Sequence, residues 1–100
     1  MAQYCYLLKP CRPSLPFDAT PAEREIIGTH FTYLKGLFAA GTVRFVGRTE
    51  AGEFGITVYE AESDAAADAL MRADPAVQAG VMTATVYPFR IALIPGMAGD

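Results

Sequence analysis

Apolar residues fill both parities of Gln3 to Lys9, with Tyr4, Tyr6 and Leu8 on one face and Cys5 and Leu7 on the other. That pattern predicts a strand buried on both sides. Pro10, Pro13 and Pro16 end it, because proline has no amide hydrogen to give a strand ladder, and Pro10 to Asp18 reads as a loop. The period then changes. Thr20-Pro21-Ala22-Glu23 offers a cap, a proline at the first helical position and a glutamate spaced for a capping box. Ile27, Phe31, Leu34 and Phe38 follow as an apolar helical stripe, Ile26, His30, Tyr33 and Leu37 form the adjacent row, and Gly41 is placed to stop the helix.

Thr42 to Arg48 and Phe54 to Glu60 read as two strands, and the turn-rich Thr49 to Glu53 between them makes an antiparallel hairpin. Ser63 is placed to cap a second, alanine-rich helix through Ala73, which ends at Asp74-Pro75 because the residue before proline resists helical geometry. A short turn over Pro75 to Gly80 leads to a last strand, Val81 to Ile91, in which Pro88 requires an edge position or the strand's end. The order strand, helix, strand, strand, helix, strand predicts an α+β, ferredoxin-like βαββαβ fold: a four-stranded antiparallel sheet with two helices on one face. Residues 1–100 form one domain without repeat or linker, with a core over 1–91 and a tail over 92–100 that has the composition of a frayed terminus. Large apolar residues of both parities leave the second sheet face in need of cover, and a homodimer packing sheet on sheet is the simplest cover.

Composition narrows the partners. With 52% hydrophobic and 19% charged residues the 100-residue chain is apolar enough to fold, and its formal charge of -3 argues against nucleic acid and anionic membranes. Phe54 to Tyr59 resembles the RNA-contacting strand of RNA-recognition modules only loosely, since the leading basic residue and central aromatic are missing. No apolar run approaches the roughly 20 residues of a membrane span, and the first residues lack the pattern of a signal peptide, so a cytoplasmic protein is expected. Cys5 and Cys11 lie roughly 20 Å apart in an extended strand at about 3.3 Å per residue, beyond disulfide reach, and are expected as free thiols. One histidine and two cysteines on a single strand make a poor metal set, and no glycine-rich phosphate loop precedes a helix, so neither metal nor cofactor is expected.

His30 is the only histidine, and its side chain can both take and give a proton near neutrality. A lone histidine beside an apolar stripe is also a common boundary residue. Asp74 can orient an imidazole, and it can equally cap the turn that starts at Pro75; the two roles are compatible. Tyr33, one turn beyond His30, can donate to a developing oxyanion or simply pack in the core. Arg44 and Arg48, four apart on a strand, are expected on one face, where they can hold a carboxylate or phenolate or remain solvated edge charges.

The segments His30-Phe31-Thr32-Tyr33-Leu34-Lys35-Gly36-Leu37, Gly41, Met71 to Val81 with its Asp74-Pro75, and Tyr87-Pro88-Phe89-Arg90 resemble the YCII (YciI-like) family in the right order over about residues 20 to 91. The resemblance implies a dimeric ferredoxin-like fold close to the dimeric α/β barrels, with His30 and Asp74 as the centre of the site. Among the family's few assigned reactions is dehydrochlorination of a chlorinated hydroxyhydroquinone. The chain departs from the family pattern at Ile27, where many relatives carry an arginine, and at Gly47-Arg48, where Gly-Pro is frequent. Two functions follow as expectations. One is a cofactor-independent enzyme in which a His30/Asp74 pair moves a proton during elimination or isomerisation of a cyclic, phenolic substrate. The other is a non-catalytic dimeric module that binds a small ligand.

Overall fold

The computed structural model describes residues 1–96. The elements are β1 (Ala2–Pro10), α1 (Leu15–Asp18), α2 (Pro21–Ala39), β2 (Val43–Arg48), β3 (Gly55–Ala61), α3 (Asp64–Arg72), α4 (Pro75–Gln78) and β4 (Met82–Pro88). The four strands pair antiparallel in the order β2-β3-β1-β4, so β4 lies at an edge, as Pro88 requires. This is the expected ferredoxin-like arrangement, with two short helices added to the anticipated pair. One is α1, a single turn inside the anticipated loop, where Ser14 O accepts from both Phe17 N and Asp18 N. The other is α4, in place of the turn after Pro75.

Local chemistry sets the helix ends. Thr20 Oγ1 accepts from Glu23 N while Glu23 Oε1 accepts from Thr20 N, closing the capping box. At the other end of α2, Gly41 has φ +82, its amide donates to Phe38 O and Thr42 N donates to Leu37 O; this paired closure needs a left-handed residue, which favours glycine. Gly80 (φ +72) repeats the device after α4, with its amide on Val77 O and Val81 N on Ala76 O. Ser63 caps α3 by accepting from Ala66 N.

Tyr4, Tyr6, Leu8 and Tyr59 point from the sheet toward the helices and pack with Leu34 of α2 and Met71 of α3. Their hydroxyls matter as much as their rings. Tyr4 donates to Asp64 Oδ1, Tyr59 to Ala67 O, Tyr33 to Leu70 O and Tyr6 to Asp74 Oδ2, so a row of phenols fixes α3 and the segment after it. A buried hydroxyl needs such a partner, because leaving it unpaired costs about 1–3 kcal/mol.

The roll of α2 differs from the expected stripe. His30 and Leu34 are the buried residues of this helix, Tyr33 and Leu37 pack beside them, and Phe31 and Phe38 are more than half exposed. Helical period alone cannot choose between two adjacent apolar rows; contact with the sheet does. On the far side of the sheet Cys5, Val58 and Ile91 form a second buried cluster, joined by Phe45, Ile56 and Ile94. The chain leaves β4 at Pro88, earlier than Ile91, and returns across that face, with Ile91 N on the Gln3 side-chain oxygen. The tail expected over 92–100 is thus partly packed; its residues 97–100 lie outside the described residues. Cys5 is buried and Cys11 exposed, both free thiols.

Candidate functional site

Asp74 links α3 to α4. Its backbone is extended, as the following proline demands, and its Oδ1 caps α4 by accepting from Ala76 N at 2.9 Å. The side chain is fully buried. Two more donors converge on it: His30 Nδ1 lies 2.7 Å from Oδ1 and 2.8 Å from Oδ2, and Tyr6 donates its hydroxyl to Oδ2 at 2.8 Å. The capping and imidazole-orienting roles are therefore held by one carboxyl group.

A carboxylate can only accept, so this contact places the imidazole hydrogen on Nδ1. Nε2 then carries the lone pair. It has no protein partner, and the ring edge opens into a cleft of about 890 Å³ between α2, the α1 segment and the β2–β3 hairpin. Burial and the neighbouring Asp74 charge both hold the Tyr6 phenol well above the ordinary tyrosine range, so Tyr6 stays a donor. Thr57, opposite Tyr6 in the β1–β3 pairing, carries the one buried side-chain polar atom left without a partner among the described residues.

The cleft walls are mostly apolar, including Phe17, Phe31, Val46 and Phe54, all large side chains with exposed surface. Phe17 is 82% exposed and Phe31 53%, so two phenyl rings at this cleft are open to a ligand. The α1 wall is held by Arg12, whose guanidinium reaches Asp18 at 2.8 Å and Glu23 at 2.7 Å. Arg12 and the Thr20 amide together hold the Glu23 carboxyl down at about 2. Across the mouth, Pro16 sits so close to Gly52 that a Cβ there would fall 2.8 Å from the proline ring.

Of the candidate residues, the structure brings His30 and Asp74 together and sets Arg48 on the cleft wall. Tyr33 is engaged elsewhere: its hydroxyl donates to Leu70 O at 2.7 Å, and burial, followed by the Asp74 charge, raises its pKa. Arg44 and Arg48 do not share a face. The register slips between Val43 and Phe45, and a one-residue slip reverses side-chain parity, so Arg44 pairs with Glu60 at 2.8 Å while Arg48 lines the cleft. Sequence reasoning missed Tyr6, and it did not single out Arg24, whose side chain also lines the cleft. Parity does place Tyr6 on the helix-facing side, but nothing local to β1 shows that its hydroxyl meets a residue 68 positions away. Among the described residues, no three His, Cys, Asp or Glu side chains are grouped so as to hold a metal ion, and no helix is long and apolar enough to cross a membrane.

Comparison with curated protein sequences finds no match. Among solved structures, the chain is similar to 5-chloro-2-hydroxyhydroquinone dehydrochlorinase of Burkholderia phenoliruptrix in complex with 2,5-dihydroxybenzoquinone, at 20% identity and a TM-score of 0.63, covering 87% of this chain and 93% of that one. It is also similar to muconolactone isomerase, at 17% identity and a TM-score of 0.68, covering 98% of this chain and 96% of that one. At these identities the likeness is one of fold. The YCII-related domain matches residues 2–90, nearly the whole length, and the chain belongs to the YCII family.

Proposed function

We propose that the protein is a cofactor-independent enzyme in which His30 Nε2 takes a proton from, or returns one to, a small cyclic and phenolic substrate in the cleft, during an elimination such as dehydrochlorination or an isomerisation. The observation that carries this reading is the His30 Nδ1 to Asp74 contact at 2.7 Å, made from behind the ring while its other nitrogen faces a roomy apolar cleft. Asp74 orients the ring and keeps the hydrogen on Nδ1; Tyr6 and the Ala76 amide hold Asp74 in turn. A proton transfer positioned in this way contributes about 10²–10⁴-fold to rate, enough for an activated carbon acid or a good leaving group. Dehydrochlorination and lactone isomerisation, the activities named for the two similar folds, both fit such a proton-moving group.

A homodimer through the second sheet face belongs to the same reading. Ile91 and Ile94 pack with Cys5 and Val58 on that face, while Tyr87 on the edge strand remains half exposed. The test of function is turnover of a panel of chlorinated hydroquinones and unsaturated lactones by wild type and His30→Ala, with circular dichroism as the check on folding. Turnover that disappears in a folded His30→Ala protein is the expected result. Full turnover without the imidazole refutes proton transfer by His30. If phenols bind and shift the His30 resonances while no panel member reacts, the protein is the non-catalytic binding module instead.

A further inference from the structure

Four polar side chains line the cleft: His30, Arg24, Arg48 and Glu50; every other lining residue is apolar, glycine or proline. A ligand with polar substituents must therefore meet them with these four or leave them in water. His30 has the proton to move. Arg12, Arg44 and Arg72 each pair with a carboxylate, whereas Arg24, Arg48 and Arg90 pair with none among the described residues; of these three, Arg24 and Arg48 line the cleft and Arg90 does not.

Both are nevertheless held. Arg24 sits in the first turns of α2 and donates through Nε and Nη2 to Ala19 O at 3.2 and 3.0 Å. Arg48, at the end of β2, donates through Nη1 to Thr49 O at 3.0 Å and Glu50 O at 3.2 Å. Backbone carbonyls orient each guanidinium without neutralising it, and donors remain on both: Nη1 of Arg24, and Nε and Nη2 of Arg48. A planar guanidinium with free parallel donors suits a carboxylate or phenolate. Between Arg24 and His30 on the helical wall stands Gly28, where an added Cβ would meet nothing within 4 Å, so space for a ring lies open beside the charged groups.

We infer that Arg24 and Arg48 are specificity-determining residues that bind an anionic oxygen substituent, carboxylate or phenolate, on the ring whose proton His30 handles, and that the protein selects anionic over neutral ring substrates. This rests on the proton-transfer reading for the location of the ring, but its test does not depend on turnover. Salicylate and its neutral amide, salicylamide, share ring and phenol and differ in the charged group. Their dissociation constants are measured by calorimetry for wild type, Arg24→Gln, Arg48→Gln and His30→Gln, and also by the shift of the His30 ring resonances in the three proteins that keep the imidazole. Wild type binds salicylate at least about tenfold more tightly, a difference of about 1.4 kcal/mol. Either arginine variant brings the two within about threefold, and added salt narrows the wild-type preference because the groups are exposed. His30→Gln keeps the preference, so loss of turnover in that protein with the preference intact separates the two readings. Equal binding of the two probes by wild type, an unchanged preference in both arginine variants, or no binding of either probe up to its solubility overturns the assignment.

Discussion

Replacing Asp74 by alanine strips three donors of their acceptor at once: the Ala76 amide, the Tyr6 hydroxyl and His30 Nδ1. The lost cap costs about 0.5–2 kcal/mol. Each of the two buried side-chain donors left unpaired costs about 1–3 kcal/mol. Together these reach about 2.5–8 kcal/mol, a large part of the 5–15 kcal/mol that holds a domain of this size. Asp74→Asn differs in kind. Its amide oxygen still caps α4, and its amide nitrogen can donate to Tyr6 or to the imidazole, so stability falls by only about 1–2 kcal/mol. An amide that donates to Nδ1, however, forces the ring hydrogen onto Nε2 and leaves no lone pair facing the cleft, with a loss of turnover of about 10²-fold or more. Tyr6→Phe removes one bond to the carboxylate, costs about 1.5–3 kcal/mol and leaves the ring hydrogen on Nδ1. Stability is read by urea unfolding at constant slope, and the tautomer by long-range proton–nitrogen NMR correlations of His30. The expected pattern is that Asp74→Ala is far less stable than the other two, while turnover falls in both Asp74 variants and much less in Tyr6→Phe. An Asp74→Ala protein within about 1 kcal/mol of wild type, or an Asp74→Asn protein that keeps the hydrogen on Nδ1 with full turnover, refutes the reasoning.

Gly28→Ala is expected to stabilise the protein by about 0.5–1 kcal/mol, since glycine is poor in a helix interior and the new methyl meets no neighbour; a melting point that rises by several degrees supports this and a fall contradicts it. In Glu23 the folded carboxyl titrates near 2 against an ordinary 4.5, so its contribution is present above pH 4.5 and is lost as the pH falls toward 2. Wild type should therefore lose stability over that window more steeply than Glu23→Gln in thermal melts against pH, and parallel curves rule this out. Tyr87→Lys puts a charge on the half-exposed edge of the second sheet face; light scattering should show wild type as a dimer and the variant shifted toward monomer, whereas a wild type that is monomeric at all concentrations removes the proposed homodimer.

Much of the fold was legible because the signals that specify it act over a few residues. The capping box at Thr20 and Glu23, the left-handed glycines at Gly41 and Gly80, and the alternation in β1 and β3 each depend on close neighbours in the chain. Short-range patterns also located the candidate pair, with the family resemblance adding weight that spacing lacked. They could not rotate α2, where two apolar rows lie side by side, nor reveal the slip in β2 that parts Arg44 from Arg48.

The sequence by itself determined the order of the four strands and the two main helices, the capping of those helices, a last strand with Pro88 at an edge or at its end, and the presence of one imidazole and one capping carboxyl. Only the tertiary structure decided that these two groups touch across 44 residues, that a phenol from 68 residues away joins them, and that two arginines without acidic partners share the cleft with the histidine. Periodicity and capping are set by neighbours along the backbone, whereas contacts between distant residues depend on how the helices roll against the sheet, which many sequences with the same periodicity would settle differently.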